Sequence, residues 1–521
     1  MIAVVWFKRD LRVFDHQPLQ HASLHAAVLP LYVYEPDIIS APDYATQHLG
    51  FTNECLADLD TALKARGSAL LTLQGEMTAV LQRIFDTCGI FALYSHEETG
   101  NAISYARDLR VAAWCHQHGV RWRETPTNGV VRRLGSRDDW ARIWAQRMQQ
   151  ATVPAPDRLP APTTSLASCG LLTPQQLGLS QADKPDRQRG GRKRAVLQLR
   201  HFFTTQLPHY RAAMSSPLSA DRACSRLSPY LSFGVLSVRE VVQQVWKRRA
   251  RLRAVPEAAS PGGALAGLKA FESRLHWHCH FIQKLESEPA IETTNMHRGF
   301  DGVREPHFNA DYFVRWRDGQ TGFPLIDASM AMLAETGWIN FRMRALLISF
   351  SSYQCWNHWR EPALHLAREF LDYEPGIHYA QIQMQSGVTG INTLRIYNPV
   401  KQAQDQDPQG IFVKRWLPSL RKIPTEFIFE PWTMPTTLQR DLGIHIGSTY
   451  PAPLCDHLVA ARHARDVLWT LRGEPAIRKE AQQVFNKHGS RNPARTGRRR
   501  PKKTVTADSR AEATQLPLNL E

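Results

Sequence analysis

Thr321–Arg344 reads TGFPLIDASMAMLAETGWINFRMR, and its punctuation is that of two short helices. Pro324 suits a first helical turn, where a missing N–H costs no hydrogen bond. Leu325, Ile326, Met330 and Leu333 mark an apolar stripe, and Gly337 supplies a stop before Trp338 reopens the pattern. The spacing predicts a helical hairpin buried in a core.

Outward from this block, Arg192 to about Leu471 keeps a mostly helical pattern, dense in tryptophan and poor in strand signals. The first 130 residues differ. Short apolar runs at Ile2–Phe7, Ala27–Tyr34, Ala69–Leu73 and Ala92–Ser95, with Val120–Trp122 as a fifth, alternate with helical patterns at His48–Arg66, Met77–Cys88 and Ala102–His118. That alternation predicts a parallel α/β sheet. No GxGxxG follows any of the strands, so the common dinucleotide fingerprint is absent. Residues 150–190 are rich in Pro, Ser, Thr and Gln and read as an interdomain connection. The resulting division is an α/β domain over 1–130, a connection over 131–195, an all-α domain over 196–475 and a tail over 476–521.

Composition narrows the function classes. The 521 residues carry 64 Lys/Arg against 48 Asp/Glu, a net charge of +16 that implies an anionic partner, with nucleic acid ahead of a membrane surface. No apolar run reaches the length of a membrane span, and the start lacks signal-peptide form. The eight cysteines are scattered with no CxxC pair, which argues against a zinc ribbon or a local iron–sulfur site and suits the reducing cytoplasm. From Arg478 onward eleven Lys/Arg face four acids without apolar period, the composition of a disordered, polyanion-seeking arm.

The words themselves carry more than their pattern. TGxPxxDAxMxxLxxTGWxxxRxR, the opening WFKRDLRVFD and the runs at 205–240 and 391–425 resemble the photolyase/cryptochrome family. The resemblance covers nearly all of residues 1–475. It implies an α/β antenna domain, a helical FAD domain, and blue-light chemistry that most often repairs pyrimidine lesions in DNA. The charges of Lys8 to Asp15 are expected to pair locally. Relatives that bind folate carry an Asn-Glu pair before Arg107-Asp108; here Ser104, Tyr105 and Ala106 stand there, so an antenna chromophore is allowed but unidentified.

For the flavin, the resemblance implies Tyr210, the element Cys224, Ser225, Arg226, Leu227 and Ser228 (with Cys224 where Thr is usual), Arg344 paired with Asp372, and Glu374. Hydroxyls and free N–H groups at a helix start suit a pyrophosphate. His378 stands where typical photolyases place Asn beside flavin N5, a position that tunes the cofactor's redox state. At the lesion side it implies Trp277, able to stack on an extruded base, with Asn340, Phe341, Arg342 and Gln402 towards DNA. Arg274 replaces the usual carboxylate, and Phe341 replaces a polar Asn. Of the usual electron-carrying tryptophans only Trp359 matches; Ile382 and Met384 stand where Trp is usual, leaving Trp356, Tyr353, Tyr379 and Tyr397 as substitutes. His276 and His280 share a helix face but lack a third ligand, so no metal is expected.

At the far end QLPLNL resembles the peptide by which bacterial repair proteins dock on the sliding clamp, with Gln515 as amide anchor and Leu516, Leu518 and Leu520 as apolar contacts. The expectation is a cytoplasmic, monomeric, FAD-dependent photolyase acting on UV-damaged DNA; the alternative is a cryptochrome-type photoreceptor, which Arg274, Phe341, His378 and Met384 favour.

Overall fold

Short β-rich runs separated by helices can bury both sheet faces only if the strands run parallel, and they do. The structure, a computed structural model, describes residues 2–254 and 262–491. Strands β1 (Ile2–Phe7), β2 (Ala27–Tyr34), β3 (Leu71–Gln74), β4 (Phe91–His96) and β5 (Arg121–Thr125) form one parallel sheet in the order β3-β2-β1-β4-β5. Helices α1 (Thr46–Lys64), α2 (Met77–Cys88) and α3 (Ala102–Gln117) fall between them. Alternate residues enter different cores: Val4, Trp6, Leu29, Leu31 and Leu93 pack with α2 and α3, whereas Val5, Phe7 and Val28 join Phe202, Phe271 and Leu275 of the helical half. One face of the sheet is therefore continuous with the second domain's core.

The helical half is built around α4 (Ala264–Ser287), α5 (Pro324–Thr336), α6 (Phe341–Ser349) and α7 (Pro375–Ser386). Pro324 does open α5, and Gly337 closes it at φ +66°, a left-handed conformation that favours glycine. Asp327, fully buried, ties the start of α5 to its surroundings by accepting from Thr321 N (2.9 Å), Thr321 Oγ1 (2.6 Å), Gly322 N (3.1 Å) and the Tyr450 hydroxyl (2.6 Å).

Two expectations need correction. The charges after β1 do not pair only locally. Arg9 donates to Ser232 O, Ser232 Oγ and Tyr373 O, Arg12 to Gly234 O, and Asp15 receives Ser237 Oγ and Arg239, all across the domain boundary. Buried guanidinium and carboxylate groups need such partners wherever the chain supplies them. The connection is tied to the α/β domain by backbone bonds: Val153 O accepts from Asp15 N, Pro160 O from Val28 N, and Leu159 N and Cys169 N donate to Arg66 O and Thr72 O. Finally, the basic tail begins with a helix, α8 (Pro475–His488), which buries Ile477 and Val484 and caps residues 298–299 with the Glu480 carboxylate. Gln515, Leu516, Leu518 and Leu520 lie outside the described residues. No described helix is long and apolar enough to cross a membrane.

Candidate functional site

Cys224–Ser228 connects two four- and five-residue helices through a sharp reversal. Arg226 sits at φ +55°, in the left-handed region, and Leu227 follows at φ −93°, ψ −9°. A non-glycine residue held there costs about 1–3 kcal/mol and persists only where its surroundings demand it. Successive residues of opposite hand turn their N–H groups to one side, forming a concavity for an anion. Among the described residues the amides of 225–228 donate to no protein group. The Arg226 side chain lies over the Trp338 ring at 3.9 Å and donates to Gln188 Oε1 at 3.1 Å, with no carboxylate in ion-pair contact; burial drops its pKa to about 10. Arg226, Arg274 and Arg344 all act electrostatically on Cys224, whose thiol burial pushes up to about 12, so it stays protonated. Tyr210 is buried beside Phe202 and Phe271, within the electrostatic reach of Arg274. This cluster is cationic and short of anions.

Beside it, α6 and α7 wall a cavity of about 620 Å³ lined by Phe341, Arg344, Ala345, Ile348, Phe370, Asp372, Tyr373, Glu374, Ile377, His378, Gln381, Ile382 and Gln385. Arg344 grips Asp372 with two bonds of 2.9 and 3.0 Å, and its guanidinium lies 4.1 Å from the Phe370 ring centre. Against the cost of burial, Arg344 holds the Asp372 carboxyl below the ordinary range. Glu374 goes the other way: burial lifts it to about 7 although Arg9 stands 3.5 Å away. Gln385 Nε2 and Oε1, Gln381 Oε1 and Glu374 Oε1 are buried in this lining without partners among the described residues. Buried polar atoms rarely stay unpaired, so a polar-edged ligand would satisfy them.

His378 illustrates how local structure sets chemistry. Its Nε2 lies 2.8 Å from Ala363 O, an acceptor only, so that nitrogen carries the proton. Burial drops its pKa to about 4, so the ring is neutral and Nδ1 is left as an acceptor.

Trp277 is partly exposed on α4, edge-on to Phe281, with Arg274 5.5 Å from its ring centre. Phe341 is 38% exposed where the cavity opens. Asn340 and Gln402 are not at the surface: Asn340 donates to Met214 O and Ser215 O, and Gln402, 1% exposed, accepts from Arg342. Both brace the rim. Glu272 is held by Trp246 Nε1 and Arg249. Trp359 is buried, donates to Asn295 Oδ1 at 2.7 Å and faces the Tyr379 ring at 6.4 Å. His276 packs edge-on to Trp140 and Trp144 while His280 bonds Arg137, so the pair does not converge on an ion.

Sequence reasoning missed two groupings. The first is Asp10, His16 and His96, whose ligand atoms lie within 4.8 Å of one another. His16 Nδ1 accepts from Leu19 N, so its Nε2 donates to Asp10 at 2.9 Å, and His96 Nδ1 lies 2.7 Å from the same oxygen; hydrogen bonds account for this cluster. The second is a cavity of about 950 Å³ at the carboxyl ends of β1, β2 and β4, lined by Tyr32, Tyr34, Glu35, Asp43, Tyr44 and Tyr373 among others. Open parallel sheets bind ligands at that edge. Only the strand ends could have signalled it.

Residues 3–137 match the family model described as DNA photolyase, and 271–470 the one described as FAD binding domain of DNA photolyase. The chain is 28% identical over 504 residues to a cryptochrome DASH of Gloeobacter violaceus, covering 92% of this chain and 98% of that one. It is 29% identical over 483 residues to a deoxyribodipyrimidine photo-lyase of Streptomyces griseus, at 87% and 96% coverage. The crystal structure of a bacterial class III photolyase from Agrobacterium tumefaciens shares the fold at TM-score 0.77 and 24% identity, covering 91% of this chain and 98% of that one. With these matches the chain belongs to the photolyase/cryptochrome family, a parallel α/β domain followed by a helical FAD-binding domain.

Proposed function

We propose that this protein is a photolyase that repairs pyrimidine lesions in UV-damaged DNA under blue light. FAD supplies, when bound, the light absorption and the electron that splits a lesion. The observation that carries the reading is the cavity lined by Arg344, Asp372 and His378, whose lining includes an exposed aromatic, Phe341, on which a flipped base could stack. Around it, this chain's residues divide the work. The 225–228 amides with Arg226 and Arg344 would hold the pyrophosphate and fix the cofactor's place. Asp372 and Glu374 would meet its polar edge. His378, with Nδ1 free to accept, would receive an N–H and so favour the reduced form. Trp277 and Arg274 would face the lesion, and the net positive charge would supply backbone attraction. The second cavity would house an antenna pigment, and the Gln515–Leu520 peptide would tether the enzyme to the sliding clamp; deleting it should abolish clamp pull-down.

One observation favours the cryptochrome-type photoreceptor as a second reading. Arg274 stands where repair enzymes carry a carboxylate, and Glu272, two residues before it, is occupied by Trp246 and Arg249. A single assay separates the two: FAD-loaded protein, oligonucleotides carrying cyclobutane or 6-4 lesions, reductant and blue light, with lesions counted by chromatography. Light-dependent lesion loss is the expected result, and no loss of either lesion overturns repair.

A further inference from the structure

Tyr373 is the one side chain that lines both cavities. Its phenol donates to Asp43 Oδ2 at 2.5 Å, joining the helical domain to a loop of the α/β domain. Asp43 is buried, and its only other partner among the described residues is Asn101 Nδ2 at 3.0 Å; no cation neutralises it. The Tyr379 hydroxyl lies 3.3 Å from that of Tyr373. Tyr379 in turn faces Trp359 at 6.4 Å between ring centres.

The flavin cavity has four aromatic side chains in its lining: Phe341, Phe370, Tyr373 and His378. No tryptophan, cysteine or methionine lines it. Phenylalanine and neutral imidazole are poor one-electron donors, whereas a phenol hydrogen-bonded to a carboxylate can lose its electron and proton together and so avoid a charged radical. We propose that Tyr373 is the primary electron donor to the light-excited oxidised flavin, with Asp43 as its proton acceptor.

The step balances. Tyr373 loses one electron to the flavin, which gains it, while the phenolic O–H bond breaks and a new O–H bond forms on Asp43 Oδ2. A neutral phenoxyl and a neutral carboxylic acid result. An electron from Trp359 by way of Tyr379 refills Tyr373, which recovers its proton from Asp43, and Trp359 is refilled in turn by an electron from a thiol in solution, which releases its proton to water while two of the resulting thiyl radicals pair as a disulfide. The proposal rests on the FAD-binding domain alone and is independent of DNA repair.

The test uses full-length protein loaded with oxidised FAD, blue-light flashes, and no DNA. Photoreduction is followed by flavin absorbance and the radical by electron paramagnetic resonance, in H2O and D2O. Wild type should give a tyrosyl signal and react more slowly in D2O. Tyr373→Phe should lose that signal and slow photoreduction at least about tenfold. Asp43→Asn, which keeps the phenol and a hydrogen-bond acceptor, should slow it similarly and abolish the solvent isotope effect. Wild-type rate and radical in Tyr373→Phe, or loss on Trp359→Phe with none on Tyr373→Phe, overturns the donor assignment. If Tyr373→Phe does not fold, Asp43→Asn decides: an unchanged rate and isotope effect overturns the proposal. Wild-type protein that holds no FAD would instead count against the flavin domain.

Discussion

Asp327 shows what a single residue of the opening block does. Its carboxylate is enclosed and receives four donors, yet burial still lifts its pKa to about 7. Removing it strands those donors in the core. Asp327→Ala should lower stability by about 3 kcal/mol, read from denaturant melts at constant slope. At this scale the sequence was only partly legible. Arg344 and Asp372 lie 28 positions apart, and their pairing was reachable only through the family pattern. Nothing in CSRLS announces that Arg226 adopts a left-handed backbone, because arginine does so rarely and no neighbouring residue type requires it. Tyr373 gave no signal either: an aromatic between two acids does not say which cavity it walls.

Elements were legible wherever period and punctuation agreed. β1 and β2, the helix Met77–Cys88 and the Pro324-to-Gly337 helix follow directly from apolar spacing and terminal residues. The exceptions share a physical cause. The helix at Pro475–His488 buries only Ile477, Val484 and His488, too thin a stripe to stand out from a basic composition. The connection is ordered by backbone bonds, which leave no trace in side-chain type. Packing between elements is equally silent in sequence. A Cβ on Gly376 would stand 2.6 Å from Ile282 Cα, so α7 can cross α4 this closely only because that position has none. Gly376→Ala should force the helices apart at a cost of about 1–3 kcal/mol and lower the FAD retained per protein, measured by absorbance after gel filtration.

For the whole molecule, buried titratable groups set the response to acid. His48, His96, His278, His365 and His378 are neutral in the fold, with pKa values at about 3 or 4 through burial. Their folded pKa values lie below the unfolded value of about 6.5, so the stability they contribute is present above that pH and is lost as pH falls towards 4. Glu35, Asp327 and Glu374 are lifted to about 7 and work in the opposite sense, losing stability as pH rises from 4 to 7. Near pH 5 these five histidines are protonated in the unfolded chain and neutral in the fold, whereas the three carboxyls are held protonated in the fold. The histidines outnumber the lifted carboxyls, so these groups predict stability falling on acidification through pH 5. Thermal midpoints of the ligand-free protein between pH 6 and 4.5 would check the sign.

The stitching of the first loop into the helical half has one more consequence. Arg9, Arg12 and Asp15 reach Ser232, Gly234, Ser237, Arg239 and Tyr373, and the connection between the halves runs pinned along the sheet. Covalent continuity across residues 150–190 is thus not what keeps the two halves together. A protease that cuts there should yield two bands on a denaturing gel but one particle of unchanged size in native chromatography. The halves are exchangeable between relatives only as matched pairs, because the surface that recognises the second domain is written in the first, in its opening fifteen residues and again at Asp43, Gln47 and His48.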